Sequence, residues 1–378
     1  MATDPGAHDE ARQASDARWM LRACQLAENG RGHVEPNPMV GCVLVRDDQL
    51  LAEGFHARFG GPHAERVALA NLSEGQSAAG ATAYVSLEPC CHFGKTPPCT
   101  DALIEAGVSR VCCALLDPFP QVAGQGVARL RESGIEVDVG CGQSWSRQLL
   151  APYLKRVMHG LPFVIAKWAM SLDGKIATRE GDSRWISSPA SREHAHRVRG
   201  QVDAIVVGSR TAAVDDPLLT ARPTGPRVAV RVVVDSAANL SPTSQLVQSA
   251  ATIPLLIWTT QAAKADDVSR LREHGCIVQC SHANDRRLLD LLKFLAEEYR
   301  ATNVLVEGGG ELLGHLFDAK AIDEVQVYIA PKLIGGSGAQ APLAAGGLTH
   351  VAHSPSLEIC ERAMLDEDWF MRARVNYK

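Results

Sequence analysis

The stretch PHAERVALANLSEGQSAAGATAYVSLEPCCHFGKTPPC (62–99) decides the fold of the first half of the chain. His63 opens a predicted helix, Cys90 follows a predicted strand over 81–87, and Cys99 comes after a gap of eight residues. One imidazole and two thiolates are three zinc ligands, which leave the fourth tetrahedral position open for water. Because closed structural sites use four protein ligands, the pattern predicts a catalytic site for one Zn²⁺ per chain, held by His63, Cys90 and Cys99.

Glu65 lies two residues after the predicted histidine ligand, inside the first turn of the same helix. There it can take a proton from water and return it to a leaving ammonia without binding the metal, which predicts a catalytic general acid and base. The alternative is that the histidine and cysteines are core residues, since a chance cysteine pair is not rare among eleven cysteines. The full His-x-Glu and Pro-Cys pattern is much rarer, and it is typical of the cytidine-deaminase-like superfamily.

The surrounding sequence alternates strand and helix patterns, which predicts an α/β domain. A hairpin at 39–45 and 50–55 precedes the quoted stretch, and a connecting helix over 144–160 closes the series. The polar residues 1–14 are expected to be a disordered tail, with helix beginning at Asp16. The remaining predictions in this half are helices over 64–72, 100–107 and 124–133 and strands over 110–116 and 135–139.

A second α/β series follows Pro162, and its strands are continuous apolar runs, as in sheets covered on both faces. These strands are predicted at 163–170, 203–208, 227–235, 254–259, 303–308 and 324–330, with helices at 189–199, 264–274, 284–299 and 310–318. A chain of 378 residues is long enough for two domains. We therefore predict a tail over 1–14, a zinc-dependent domain over 15–160 and a second domain over 161–378.

Longer motifs in the first domain resemble the deaminase half of the bifunctional riboflavin-biosynthesis deaminase–reductase family. They are PNPMVGCVLV (36–45), GFH (54–56), PHAE (62–65), ATAYVSLEPC (81–90), HFGKTPPC (92–99) and DPFPQVAGQG (117–126). The resemblance implies a three-layer, cytidine-deaminase-like domain in which Asn37, His56 and Lys95 bind the substrate, Lys95 through its phosphate. Cys91 and Phe119 depart from the family pattern, which often has Ser and Asn at these positions.

The second domain lacks a G-x-G-x-x-G motif, so a Rossmann fold is not indicated. VEGGGELLGHLF (306–317) places three glycines before a helix, where backbone N–H groups can bind a phosphate. Together with the following motifs it resembles the reductase half of the same family, which implies a dihydrofolate-reductase-like α/β fold and NADPH as cofactor. These motifs are KWAMSLDGKIA (167–177), SRWISSP (183–189), VRGQVDAIVVG (198–208), TAAVDDPLLTAR (211–222) and VYIAPKLIGG (327–336).

The resemblance also implies roles for individual residues of the second domain. Lys167 is expected to be catalytic, supplying a proton or polarising the ribose carbon that receives hydride. The implied NADPH contacts are Ala169, Trp185, Thr211, Asp215, Ser236, Gly309, Gly310, Glu311, Leu312, Leu313, Gly314 and His315. The implied substrate contacts are Ser183, Arg199, Leu219, Arg222 and Glu307.

The implied reactions are two consecutive steps of riboflavin biosynthesis. The substrate would be 2,5-diamino-6-ribosylamino-4(3H)-pyrimidinone 5′-phosphate, which is first deaminated at its 2-amino group. The ribosyl group of the uracil product would then be reduced to ribityl. We also expect a homo-oligomer, either a dimer or a tetramer.

Composition and charge narrow the alternatives. A net charge of −5 argues against a nucleic-acid partner. The polar N-terminus and the lack of a long apolar run predict a cytoplasmic protein without a membrane partner.

Two alternative functions remain open at this point. One is a nucleic-acid-editing deaminase, which the long Cys90–Cys99 gap disfavours. The other is a zinc-stabilised scaffold without activity, which Glu65 disfavours.

Overall fold

The computed structural model describes residues 5–281 and 287–377, and it divides into two compact units, Met1–His159 and Gly160–Lys378. The division lies one residue before the boundary expected from the sequence. Gly160, in the left-handed conformation at φ 65°, follows the last helix of the first unit. Among the described residues, no helix has both the length and the apolar character needed to span a membrane.

The first unit is a five-stranded sheet with helices on both faces. Its elements are α1 (Pro5–Ala27), β1 (Gly41–Arg46), β2 (Gln49–Phe55), α2 (Ala64–Ala70), β3 (Thr82–Val85), α3 (Cys99–Glu105), β4 (Arg110–Cys113), α4 (Gln125–Glu132), β5 (Glu136–Val139) and α5 (Gln143–His159). The strand order is β2-β1-β3-β4-β5, with β3, β4 and β5 parallel and β1 antiparallel to both neighbours.

Successive side chains of each strand point to opposite faces of the sheet, so the sheet packs against a layer of helices on each side. Val43 and Tyr84 point to one face, where they pack against α1 and α5. Their sequence neighbours Leu44 and Val85 point to the other face and pack against α2, α3 and α4. Both faces of the sheet are therefore apolar and covered, as the resemblance implied for this domain.

The second unit contains a nine-stranded sheet of order β10-β9-β8-β7-β11-β6-β12-β14-β13. Its strands are β6 (Phe163–Ser171), β7 (Ala204–Gly208), β8 (Val230–Val234), β9 (Leu255–Thr260), β10 (Ile277–Ser281), β11 (Asn303–Glu307), β12 (Glu324–Ala330), β13 (Ser356–Leu365) and β14 (Asp368–Asn376). Its helices are α6 (Pro189–Arg199), α7 (Ser209–Asp215), α8 (Gln245–Gln248), α9 (Ala265–Glu273), α10 (Arg287–Glu298) and α11 (Gly310–Asp318). All pairs are parallel except β12–β14 and β14–β13.

Consecutive residues of the central strands are buried, so both faces of this sheet are covered as well. On β7, Ile205, Val206 and Val207 are all buried. Helices α10 and α11 pack on one face through leucines such as Leu295 and Leu313. The parallel strands direct their carboxyl ends to one edge, which is where ligands bind in sheets of this kind.

The predicted disordered tail over 1–14 is wrong for residues 5–14, which form the first half of α1; residues 1–4 lie outside the described residues. The helix is held there by distant partners. Arg12 forms an ion pair with Asp138 on β5 at 3.2 Å and a second one with Glu136. Further along the helix, Asp16 pairs with Arg110 at 2.7 Å. No local pattern in a polar segment indicates partners more than 90 residues away.

Other differences concern short or exposed elements. The sequence analysis did not predict β10, β13 and β14, and the start of the predicted helix at 284–286 lies outside the described residues. Strand β13 is exposed along most of its length, so the sequence lacks the apolar alternation that would have revealed it.

Candidate active sites

The first site forms where two helices begin beside the end of β3. His63 is the N-cap residue of α2, Cys99 is the first residue of α3, and Cys90 lies in the loop that leaves β3. The Nδ1 atom of His63 lies 3.4 Å from each sulfur, and the three ligand atoms lie within 4.8 Å of one another. Nitrogen and sulfur ligands of a tetrahedral zinc should be separated by roughly 3.5 Å, so the residues present fit the metal.

The electrostatics of the cluster favour a metal-binding thiolate. The hydrogen bond from the Cys99 thiol, together with His63, lowers the pKa of Cys90 well below its ordinary range. The backbone N–H of Cys99 also points at Cys90 Sγ, at 3.4 Å. Cys91 does not join the cluster, because its sulfur lies 3.7 Å from the carbonyl oxygen of Gln121.

Glu65 is buried beside these ligands, and its Oε2 atom has no hydrogen-bond partner among the described residues. Burial, followed by the charge of Cys90, raises the pKa of Glu65. A raised pKa brings a carboxylic acid closer to the operating pH and so suits it for moving a proton. The side chain is therefore placed as predicted from the His-x-Glu spacing.

A pocket of about 340 Å³ opens onto this cluster and is lined by Asn37, His56 and Lys95. His56 Nδ1 lies 2.9 Å from the carbonyl oxygen of Pro62, so this nitrogen carries the proton. His56 Nε2 must then accept from Asn37 Nδ2 at 3.3 Å. Within the described parts of the chain nothing donates to Asn37 Oδ1, which leaves this oxygen to accept from an amino group. Lys95 lies 4.0 Å from the ring centroid of Phe59.

Several residues of this pocket were missed by the sequence analysis. Helix α5, expected only to connect the domains, contributes Tyr153, whose hydroxyl donates to Asp117 Oδ1 at 2.8 Å. Glu88, in the Glu-Pro-Cys motif, is buried and accepts backbone N–H groups from 117, 124 and 127 at 3.0–3.1 Å. Phe119 lines the pocket with its ring 6.1 Å from that of His92, so the position contributes an aromatic ring instead of a polar contact.

The second site lies at the carboxyl edge of the nine-stranded sheet. Lys167 on β6 and Glu307 on β11 are paired in register, and Lys167 Nζ lies 3.7 Å from Glu307 Oε2. Arg199, at the end of α6, donates to both carboxylate oxygens of Glu307, at 2.6 and 2.8 Å. Burial alone would raise the pKa of Glu307. The positive charges of Arg199 and then of Lys167 have the larger effect, and they lower this pKa to about 2. Burial also lowers the pKa of Lys167.

A further cation extends this cluster. Arg222 Nη2 lies 3.3 Å from Nε2 of His196, whose Nδ1 atom lies 3.0 Å from the carbonyl oxygen of Thr220. Burial, followed by the charge of Arg199, lowers the pKa of His196, so the imidazole is neutral. Arg222 therefore adds a guanidinium beside this cluster, and a guanidinium is suited to anchor a phosphate.

The glycine turn between β11 and α11 is the predicted phosphate-binding segment of the second domain. Gly308 has φ 123°, and the N–H of Gly309 donates to Thr211 Oγ1 at 3.0 Å. A Cβ atom on Gly310 would lie 2.1 Å from the carbonyl oxygen of Ala341. Gly308 therefore requires glycine for its backbone conformation, and Gly310 for its packing against Ala341. The turn leads into the start of α11, and helix starts are where phosphates bind in many proteins.

These groups line one cleft of about 1400 Å³, larger than the 300–1,000 Å³ of most small-molecule sites and large enough for two ligands. Leu313 and Gly314 are not brought to it, because α11 turns Leu313 into the core and packs Gly314 against Ala345. The predicted residues that do line it are Lys167, Ala169, Ser183, Trp185, Arg199, Thr211, Asp215, Leu219, Arg222, Ser236, Glu307, Gly309, Gly310, Glu311, Leu312 and His315.

The two sites define the class of the protein. A three-ligand zinc site with an unliganded acid is the arrangement of a hydrolytic deaminase. A glycine cradle beside a buried lysine and cationic phosphate anchors, at the carboxyl edge of a mostly parallel sheet, is the arrangement of a nucleotide-dependent reductase. The chain therefore joins a zinc deaminase to a reductase that uses a nicotinamide cofactor.

Comparison with known proteins identifies the family. The family model of the cytidine and deoxycytidylate deaminase zinc-binding region matches residues 13–115, and that of the RibD C-terminal domain matches residues 162–369. The chain is 40% identical to the riboflavin biosynthesis protein RibD of Escherichia coli over 92% of its own length and 95% of that protein. It is 38% identical to the RibD protein of Actinobacillus pleuropneumoniae, with 94% of each chain covered.

Comparison with solved structures identifies the same family. The structure of Acinetobacter baumannii RibD superposes with a TM-score of 0.82 at 35% identity, covering 96% of this chain and 99% of that one. A deaminase/reductase from Thermotoga maritima superposes with a TM-score of 0.81 at 34% identity, with the same coverage. The chain belongs to the RibD family and is a bifunctional deaminase and reductase of riboflavin biosynthesis. The predicted α/β class, with an N-terminal cytidine-deaminase domain and a C-terminal reductase domain, is confirmed.

Proposed function

We propose that the chain deaminates 2,5-diamino-6-ribosylamino-4(3H)-pyrimidinone 5′-phosphate and then reduces the ribosyl group of the product with NADPH. The observation that carries the proposal is that one chain holds both sites. The Thermotoga maritima relative is described as a diaminohydroxyphosphoribosylaminopyrimidine deaminase and 5-amino-6-(5-phosphoribosylamino)uracil reductase, which are these two reactions. The final product would be 5-amino-6-(5-phosphoribitylamino)uracil.

The deamination replaces an amino group by the oxygen of water. His63, Cys90 and Cys99 would hold the zinc ion, which would lower the pKa of water and so supply the nucleophile. The oxygen becomes the new carbonyl oxygen and the nitrogen leaves as ammonia, so one proton of water must pass to that nitrogen and the other to the adjacent ring nitrogen. Glu65, with its unpartnered Oε2 atom, carries this proton. Asn37 Oδ1 accepts from the pyrimidine, held in place by the neutral His56.

The reduction takes place on the ring-opened imine form of the ribosylamine. The turn at 308–310 would hold NADPH, which would supply the hydride for the imine carbon. The imine nitrogen must then gain a proton, and we assign this proton to Lys167, which Glu307 orients at 3.7 Å. Arg222 holds the ribose phosphate at the other side of the cleft.

We also propose a cytoplasmic location and a homo-oligomeric state, a dimer or a tetramer. None of the eleven cysteines forms a disulfide, which supports a reducing compartment. The exposed apolar residues Leu357 and Ile359 on the edge strand β13 support self-association.

The test is to incubate the purified, zinc-loaded protein with the diaminopyrimidine phosphate, with and without NADPH. We expect ammonia release in both samples and NADPH oxidation that follows it in time. Absence of ammonia release, or oxidation of NADPH without prior deamination, would overturn the proposal.

A further inference from the structure

Lys167 lies on β6, between the strands that carry Glu307 and Tyr328. Glu307 on β11 is paired with Lys167, and Tyr328 on β12 is paired with Ala169, two residues further along β6. Paired residues and residues two apart along a strand share one face of a sheet, and Lys167, Glu307 and Tyr328 all line the cleft. Lys167 Nζ lies 3.7 Å from Glu307 Oε2 and 5.4 Å from the centroid of the Tyr328 ring. The lysine is therefore flanked by an anion on one side and an aromatic ring on the other.

The ring of Tyr328 is held in place on its other sides. Its hydroxyl oxygen lies 2.8 Å from Nδ1 of His194 on α6. Its ring centroid lies 5.0 Å from that of Phe370, the residue paired with it on β14. The same helix α6 ends with Arg199, which donates to Glu307. One helix thus fixes both groups that flank the lysine.

Tyr328 acts on the lysine through its ring and not through a charge. Burial raises the pKa of Tyr328, so the phenol is neutral. The electron-rich face of a neutral aromatic ring attracts a cation that lies within about 6 Å of the centroid. Burial lowers the pKa of Lys167, Glu307 raises it, and Arg199 lowers it. Because a proton donor must be charged before it acts, this buried lysine needs neighbours that favour its ammonium form, and the ring is one of them.

We propose that Tyr328 is a positioning residue of the reductase, which holds the Lys167 ammonium in its charged form through the face of its ring. This rests on the proposed function, in which Lys167 gives its proton to the imine nitrogen. Each turnover leaves the lysine as a neutral amine, which regains a proton from water. The ring and Glu307 both favour this return.

The test compares phenylalanine with pentafluorophenylalanine at position 328 of the full-length protein. The two side chains have nearly the same shape, but fluorine withdraws electron density from the ring face and removes its attraction for a cation. Reduction of deaminated substrate by NADPH is followed across pH, and the alkaline limb of the kcat profile reports loss of the proton from the general acid. We expect this limb to lie roughly 0.5–1.5 pH units lower with the fluorinated ring than with Tyr328→Phe. Above the limb, kcat should fall by roughly threefold to thirtyfold.

Two controls separate the ring from other causes. Tyr328→Phe keeps the ring and loses the contact with His194, and it should retain the wild-type limb. Pentafluorophenylalanine at Phe294, whose ring packs 5.4 Å from that of Trp258 in the core, should also leave the limb unchanged. Should the pentafluoro variant at 328 fail to fold, 3,5-difluorophenylalanine serves instead, with a smaller shift in the same direction.

Chemical labelling without NADPH provides the second measurement. An amine-reactive reagent modifies the neutral amine of Lys167 and not its ammonium, so mass spectrometry of the labelled peptide across pH gives the midpoint of its titration. This midpoint should fall by the same amount as the kinetic limb. Equal limbs and midpoints for the plain and fluorinated rings overturn this inference alone, and so does an equally large shift in Tyr328→Phe, which would assign the effect to the hydroxyl. A wild-type protein that does not oxidise NADPH with deaminated substrate overturns the proposed function instead.

Discussion

Replacing Glu307 by Gln tests the charge balance at the centre of the reductase cleft. The carboxylate is buried and compensates two cations, Arg199 through two hydrogen bonds and Lys167 at 3.7 Å. Glutamine has nearly the same shape but no charge, so both cations lose their counter-ion. Removing one partner of a buried ion pair costs about 3–5 kcal/mol. In a unit of this size, that lowers the melting temperature by roughly 6–20 °C.

The assay is differential scanning calorimetry of the full-length protein, followed by both activity measurements. Glu361→Gln is the matched control, because it breaks a single contact of 3.0 Å to Arg372 at a carboxylate that is 43% exposed. It should cost no more than about 1 kcal/mol. Ammonia release should persist in both variants, whereas hydride transfer should be lost in Glu307→Gln because Lys167 is no longer oriented.

The pH dependence of the protein's stability gives a second, independent test of the role of Glu307. The pKa of Glu307 is lowered to about 2 from an ordinary 4.5, so its contribution to stability is fully present above about pH 4.5. That contribution is lost as the pH falls from there towards 2. The stability difference between wild type and Glu307→Gln should therefore narrow below about pH 4.5. A variant that melts within 2 °C of the wild type and still reduces substrate would refute the assigned role of Glu307.

Two further predictions concern the zinc site. Glu65→Gln should keep zinc and reductase activity but lose ammonia release by roughly 10²–10⁴-fold, because glutamine cannot move a proton. Substantial ammonia release by this variant would remove Glu65 from its role. Cys91→Ser should bind near-stoichiometric zinc in a metal analysis and Cys99→Ser should not, since Cys91 lies outside the ligand cluster. Tight zinc binding by Cys99→Ser would contradict the assigned ligand set.

The sequence analysis predicted those features that depend on residues close together in the chain. His63 and Glu65 lie at the first turn of one helix, and Cys90 lies in the loop that follows a strand, so a local motif was enough to predict that they come together. The polar first half of α1 and the exposed strand β13 were missed because distant partners stabilise them and neither shows an apolar period. The sequence alone did not show why three glycines stand at 308–310. In the structure, the carbonyl oxygen of Ala341 lies so close to Gly310 that no side chain fits there.

Other residues of each site are held by hydrogen bonds to partners that lie far away in the sequence. Glu88 fixes a loop up to 39 residues away, Arg287 reaches Ser236 across 51 residues, and Arg199 reaches Glu307 across 108. A local motif identifies some of the reacting groups, such as His63 and Glu65, because they lie close together in the sequence at the start of α2. The partners that hold these groups in place are instead brought into contact only by folding. It follows that a substitution at one distant partner can alter a site whose sequence motifs are all intact.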